Sequence, residues 1–220
     1  MAEANDWRRV LSLGSDCQAQ YQIRRYMRFV GTDRSSNRNG LGSPTTVFSW
    51  QVTPMHGLLL YLRQDFAGLF ERDDLHVGEF GITHARTGTL HLHEFPRQSA
   101  EALAAHYNAA RERHDRLCAR TRLLLTDDEP TLLVLDRGKR SITADQLAEV
   151  QERLHHYNPS KSMSLLTLAT PRPAHLDWRG DARAWSRALS AKLRPPGLRA
   201  RLTWLLRRRT SAVRGELTPS

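Results

Sequence analysis

Residues 9–17, RVLSLGSDC, decide the fold of this chain. The apolar first half of this stretch predicts a short β-strand, and the GSD segment after it predicts a tight turn. Cys17 then begins a stretch that predicts an α-helix over residues 17–29, capped by Ser15 or Asp16. Cys17 is therefore expected at the start of a helix and at the carboxyl edge of a sheet.

Strand and helix patterns alternate along the rest of the chain. Helical periodicity covers residues 55–66, 101–125 and 144–156, and strand-like patterns cover residues 87–95, 132–135 and 163–169. Residues 31–44, rich in Gly, Ser, Asn and Arg, predict a long loop, and a last helix is expected to end near Leu193. The alternation predicts an α/β fold, a single domain built around a mainly parallel or mixed sheet.

Length and charge divide the chain into a core and a tail. With 220 residues, 40% of them hydrophobic and 25% charged, the chain predicts one globular domain over residues 1–194. Residues 195–220 are expected to form a basic, helical or disordered tail. Residues 181–216 hold ten Lys/Arg and two acids, a net +8 out of the total of +10, so all residues outside this stretch together carry only +2.

Several protein classes are excluded because their characteristic sequence patterns are absent. Neither a membrane-spanning apolar run nor a secretory signal is found, so a cytoplasmic location is expected. The two cysteines, Cys17 and Cys118, fit a reducing compartment and cannot form a disulfide framework. The phosphate-loop and dinucleotide fingerprints are absent, and Arg24 follows Cys17 one residue too late for a Cys-x5-Arg phosphate loop. No cofactor is predicted.

Cys17 is the strongest candidate for chemistry. The partial positive charge and free N–H groups of a helix N-terminus favour a thiolate, which is the nucleophilic form of cysteine. Backbone N–H groups of Cys17 and Gln18 would then stabilise an oxyanion. The alternative is that Cys17 is a small apolar residue that packs the first turn of a buried helix. Cys118 lies inside the periodic helix and is expected to be structural.

A thiol nucleophile needs a base, and His93 is the candidate because it lies near the end of the strand predicted over residues 87–95. His91 is expected on the same face of that strand. The alternative is that both histidines line a half-exposed strand face. A zinc site of His84, His91 and His93 lacks a second ligand cluster with recognisable spacing, so no metal is predicted.

The motifs of this chain resemble a family of bacterial proteins that carry a domain of unknown function and are classed with papain-like cysteine peptidases. The resemblance covers about the first two thirds of the chain. It rests on residues 12–18 (SLGSDCQ) with 21–25 (YQIRR), 48–50 (FSW), 93–95 (HEF) and 132–135 (LLVL). It implies a peptide or acyl substrate, with Cys17 as nucleophile and His93 as its partner.

Two departures from the family pattern concern the supporting acid. Phe48-Ser49-Trp50 stands where the family has Phe-Asp-Trp, and His93-Glu94-Phe95 stands where it has His-Asp-Phe. If the family's acid at the position of Ser49 orients the base, that role is vacant in this chain. Asp136, just beyond an apolar strand, is the candidate third member that would hold the imidazole of His93, and its alternative is a solvated acid at a strand end.

The basic tail raises a second class of function. Its arginines, interleaved with Trp204 and leucines, could make weak contacts with RNA or an acidic membrane. The alternative is a solvated terminal helix with no partner. A non-catalytic binding or scaffold protein is thus the competing hypothesis to an enzyme, and the sequence does not predict the oligomeric state.

Overall fold

The computed structural model describes residues 7–30, 42–137, 141–160, 163–169 and 178–193. The basic tail predicted over residues 195–220 lies outside the described residues, and so does most of the predicted loop.

Five helices and two sheets form the described part of the chain, so the predicted α/β fold is confirmed. The three-stranded sheet consists of β1 (Arg9–Ser12), β4 (Thr131–Asp136) and β5 (Met163–Leu168), and a hairpin consists of β2 (Leu75–Gly78) and β3 (Gly81–His84). The helices are α1 (Cys17–Val30), α2 (Met55–Arg63), α3 (Ala100–Thr126), α4 (Ala144–Tyr157) and α5 (Ala182–Ser190), with 3-10 turns at Val47–Ser49 and Arg72–Asp74.

The larger sheet is parallel, with the strand order β1-β4-β5. In the register of the central pair, Arg9 lies opposite Thr131 and Ser12 opposite Val134. All six residues of β4 are buried, as expected for a central strand covered by helices on both faces. The carboxyl ends of β1 and β4 therefore meet at one edge, beside the start of α1.

Alternating side chains of the sheet build two separate cores. Val10, Leu132 and Val134 pack with α1 and α5. Residues of the opposite face, which include Leu11 and Leu133, pack with α2, α3 and α4. The sheet is thus the middle layer of a helix-sheet-helix sandwich.

Helix α3 joins the sandwich to the hairpin. Its 27 residues span about 40 Å at 1.5 Å per residue. Leu103 and Ala110 in its first half pack against Phe70 and Ile82 of the hairpin region, and its second half packs against the larger sheet. Ser99 caps its start by accepting a hydrogen bond from the Ala102 N–H at 3.2 Å.

Two predicted elements need correction. The helix predicted over residues 55–66 ends at Arg63, because Asp65 and Phe66 adopt positive φ angles that a helix cannot contain. The strand predicted over residues 87–95 is wrong as an element. Only Leu90 makes β-bridges, one to Val52 and one to Thr83, before the chain turns away.

No described helix has both the length and the apolar character that a membrane crossing requires.

Candidate functional site

The turn between β1 and α1 is fixed by hydrogen bonds on both sides. Leu13 extends the sheet by donating its N–H to the Val134 carbonyl at 2.9 Å. Gly14 follows with a φ of +94°, which glycine adopts at no steric cost, and its N–H donates to the Ser12 hydroxyl at 3.2 Å. The turn thus directs the chain from the strand into α1 within four residues.

Cys17 is the first residue of α1 and is 6% exposed. Of the two candidate caps, Ser15 and Asp16, it is Asp16 that caps the helix, because its Oδ1 accepts the Gln18 N–H at 2.8 Å. The 14-residue helix brings its positive end to the thiol, which is the electrostatic arrangement that favours a thiolate. The Gln18 N–H, predicted as an oxyanion donor, is engaged by Asp16 in this structure.

Asp136 ends the neighbouring strand β4 and is 1% exposed. Its N–H donates to the Gly14 carbonyl at 3.3 Å, so its backbone is bonded directly to the turn that precedes Cys17. The expectation of a solvated acid at a strand end is therefore wrong. Two predicted site residues, Cys17 and Asp136, belong to the same edge of the sheet.

His93 lies on a turn of the chain and not on a strand, and its side chain is exposed. Its ring packs edge-on against Trp50, with 5.9 Å between ring centroids. The Arg24 guanidinium lies 5.3 Å from the centroid of the same tryptophan. His93 is thus positioned over the FSW segment, next to the arginine two turns along α1 from Cys17.

The segment around Thr53 connects the Cys17 turn to the histidine region. The Thr53 N–H donates to the Ser15 carbonyl at 2.9 Å, and the neighbouring Val52 pairs with Leu90 through two backbone hydrogen bonds. This backbone path leads from the turn before Cys17 to the segment that carries His91 and His93.

The prediction that His91 shares a face with His93 is wrong. His91 is fully buried, because the Val52–Leu90 pair directs its side chain into the interior, whereas the turn that follows leaves His93 in solvent. The His91 ring packs edge-on against Phe70 with 4.7 Å between ring centroids, and neither ring nitrogen has a partner among the described residues. Burial, reinforced by His114, lowers the pKa of His91 well below its usual value.

The described residues contain no group of three or more His, Cys, Asp or Glu side chains arranged to hold a metal ion. His84 is buried in the hairpin, apart from the exposed His93. The zinc hypothesis for these histidines therefore gains no support from the geometry.

Ser49 fills a structural position where the resembled family has an acid. Its hydroxyl accepts the Thr46 N–H at 2.8 Å and donates to the Gln20 Oε1 at 3.1 Å. All three residues are buried, and the network joins the 3-10 turn to α1. A carboxylate here would face the amide oxygen of Gln20, so the position suits a hydroxyl.

The sequence analysis missed a thiol-imidazole pair within α3. Cys118 Sγ lies 3.6 Å from His114 Nδ1, and His114 Nε2 lies 2.8 Å from the Tyr61 hydroxyl. Their spacing of four residues on one helix was the available signal. Burial raises the pKa of Cys118 to about 12 and lowers the pKa of His114 to about 4, so both groups stay neutral near pH 7. This pair suits a packed core and not a nucleophile.

A cavity of about 500 Å³ lies between α4 and the first half of β5. Its polar lining groups are Gln151, His155, Asn158 and Ser164, and it contains none of the predicted site residues. The cavity is therefore separate from the edge where Cys17 begins its helix.

Comparison of the chain with models of protein families, with curated proteins and with solved structures gave no match. The interpretation of the site consequently rests on its own geometry and on the motifs.

Proposed function

We propose that this chain is a thiol-dependent hydrolase or acyltransferase of the papain-like cysteine peptidase type. Cys17 would attack the carbonyl carbon of a peptide, amide or thioester. The observation that supports this function is the position of Cys17 as first residue of α1, at the sheet edge where Asp136 ends the next strand. Open α/β sheets bind their ligands at the carboxyl ends of the strands.

In the proposed reaction, His93 accepts the Cys17 proton as sulfur bonds to the carbonyl carbon, and it returns that proton to the leaving amine or thiol. Water or an acceptor nucleophile then attacks the acyl-enzyme thioester formed on Cys17, which releases the acyl product and restores the thiol. Cys17 and Gln18 N–H groups would hold the oxyanion, which requires that the Gln18 N–H be shared with Asp16 or released by it. Asp136 remains the proposed third member that orients His93.

The test is alkylation by iodoacetamide, a reagent small enough for a thiol that is 6% exposed, located by mass spectrometry. We expect labelling of Cys17 near neutral pH, retained in Cys118→Ala and lost in Cys17→Ala. Cys118→Ala is the matched control, because the pKa of that thiol is raised to about 12. Equal labelling of the two variants, or none in the folded protein, would contradict the nucleophile.

A second measurement addresses the base. His93→Gln should reduce the rate of Cys17 alkylation near neutral pH, because a base beside the thiol takes up its proton and favours the thiolate. His106→Gln, an exposed histidine on α3, is the control and should leave that rate unchanged. Equal rates in the two variants would remove His93 from the mechanism.

We place the proposed reaction in the cytoplasm. Both cysteines are free in the structure, which fits a reducing compartment where disulfides are rare.

The competing proposal is a non-catalytic binding protein whose basic tail contacts RNA or an acidic membrane. The observation that favours it is Ser49, which lies in a buried structural network where an acid of the catalytic site would be expected. Binding that weakens with salt and disappears on deletion of residues 197–220, in a chain whose biological activity survives Cys17→Ala, would support this alternative.

A further inference from the structure

The hairpin belongs to a module with a small core of its own. We name residues 70–98 the hairpin module, which contains β2, β3 and the segment that pairs through Leu90. Its core consists of four buried side chains of the module and two of α3: Phe70, Leu75, Ile82, Phe95, Leu103 and Ala110. Because a two-stranded hairpin alone is only marginally stable, the module depends on its packing against α3.

The inner face of the module carries buried polar groups. Val52 and Leu90 exchange two backbone hydrogen bonds, which places Thr53, Thr89 and His91 on the other face of this short ladder. All three side chains are buried, and both threonine hydroxyls and both ring nitrogens of His91 have no partner among the described residues. Such groups weaken the attachment of the module, because opening lets water solvate them.

Two buried histidines face each other where the module meets α3. His91 of the module and His114 of α3 have ring centroids 6.4 Å apart. Phe70 packs against both rings, with centroid distances of 4.7 Å to His91 and 4.6 Å to His114. The φ of Phe70 is +72°, a strained value for a residue with a side chain, which persists only while the surrounding packing holds it. A proton on either histidine therefore places a charge inside a tightly packed interface.

The groups around the two rings do little to stabilise such a charge. The titratable groups that face the rings come from β3, α2 and α3: His84, Tyr61, Arg111, Asp115 and Cys118. Of these, Asp115 favours a charged His114, but its Oδ1 lies 3.7 Å from Nδ1 and its side chain is 55% exposed. The groups that act on His91 are His114 and His84, which disfavour its charge. Burial therefore lowers the pKa of His114 to about 4 and that of His91 well below its usual value.

We propose that the hairpin module is an acid-sensitive switch, which separates from α2 and α3 when His91 and His114 take up protons. In the open module both rings titrate near a pKa of about 6.5, whereas in the closed module they stay neutral to lower pH, so each favours opening as the pH falls below about 6.5. Opening breaks the Val52–Leu90 pair and moves His93 away from Trp50. The loss of the proposed base is a consequence that rests on the proposed function, whereas the opening itself does not.

The test is amide hydrogen exchange of the full chain, located by mass spectrometry at about pH 7.5 and about pH 5, with labelling times scaled to the intrinsic exchange rate. At about pH 5 we expect the amides of residues 75–92 to be at least about 10-fold less protected than those of β4, which exchange through unfolding of the whole molecule. Between the two pH values the opening constant should rise about 30-fold for each histidine that is protonated only in the open module.

Variants of single histidines assign the effect. His91→Gln and His114→Gln should each reduce the rise of the opening constant by about 30-fold, and the ratio between the two pH values cancels any constant loss of stability. His76→Gln, an exposed histidine of β2 in the same module, is the matched control and should leave the rise unchanged. Glu94, whose raised pKa favours the closed module in acid, is present in every variant and cancels in the comparison.

Three results would overturn the proposal. They are equal protection of the module and β4 at about pH 5, no change of module protection between the two pH values, and the full rise in either His91→Gln or His114→Gln. Cys17→Ala should exchange like the unmodified chain, so a failure of the proposed catalysis would leave this measurement unaffected.

Discussion

At Gly57, helix propensity and tertiary packing favour different residues. It is the third residue of α2, and a Cβ at this position would lie 2.4 Å from the backbone oxygen of Thr87. In an exposed helix, replacing glycine by alanine stabilises by about 1 kcal/mol. Here the clash is with backbone, so Gly57→Ala should lower the free energy of unfolding by about 1–3 kcal/mol, measured by urea denaturation.

A reverse substitution provides the control for this prediction. Ala104→Gly at an exposed position of α3 should cost about 1 kcal/mol through propensity alone. If Gly57→Ala proved more stable than the unmodified chain, the close approach of α2 to residue 87 would be wrong.

For the candidate site, sequence reasoning succeeded where local signals decide the structure. The helix start at Cys17 and its Asp16 cap follow from neighbours in sequence, and both were predicted. The side-chain environments of His91 and Ser49 depend on segments distant in sequence. Leu90 pairs with Val52, 38 residues earlier, and that pairing decides which histidine is buried. No local pattern carries that information.

At the scale of elements, α5 depends on one buried aromatic residue. Trp185 is fully buried and packs on β1, β4 and α1, and its indole N–H has no partner among the described residues. Trp185→Ala should therefore cost about 3–5 kcal/mol, through lost burial and the cavity that it leaves. Trp185→Phe should cost less than about 2 kcal/mol, because it also removes a buried unsatisfied donor.

Thermal or urea unfolding of the two variants checks this prediction. Trp178→Phe, on the exposed neighbouring turn, is the control, and its free energy of unfolding should lie within about 0.5 kcal/mol of that of the unmodified chain. Equal losses in Trp185→Phe and Trp185→Ala would mean that the indole N–H has a strong partner after all.

Elements with strong periodicity were predicted within a few residues, and the short ones were not. Strands β4 and β5 and helices α3 and α4 lie where apolar runs or 3.6-residue repeats indicated them. The hairpin of β2 and β3 was missed because each strand has four residues and contains a glycine, which leaves little alternation to detect. The side chains of residues 87–95 alternate with the period of a strand, but within this segment only Leu90 forms β-bridges.

For the whole molecule, the two helical layers divide the chemistry between them. The layer of α2, α3 and α4 contains the buried His114 and the Arg63–Glu149 and Arg122–Asp65 ion pairs, whereas the layer of α1 and α5 contains Cys17.

Acid should destabilise the whole fold through its buried histidines. Burial lowers the pKa of His114 to about 4 and that of His91 well below its usual value, whereas an unfolded histidine titrates near 6.5. Between about pH 6.5 and 4 the unfolded chain thus binds protons that the folded chain does not, so stability falls as the pH decreases. Each histidine should contribute a slope of about 1.4 kcal/mol per pH unit.

Glu94 acts in the opposite direction, because burial raises its pKa and protonation then favours the folded chain as the pH falls through that value. Urea unfolding of His114→Gln between about pH 6 and about pH 5 isolates one histidine, because the slope is independent of any constant loss of stability. The slope should decrease by about 1.4 kcal/mol per pH unit in His114→Gln and stay unchanged in His106→Gln, whose side chain is exposed. Identical slopes in both variants would mean that His114 is charged or solvated in the folded protein, and the buried Tyr61–His114–Cys118 cluster would then need another arrangement.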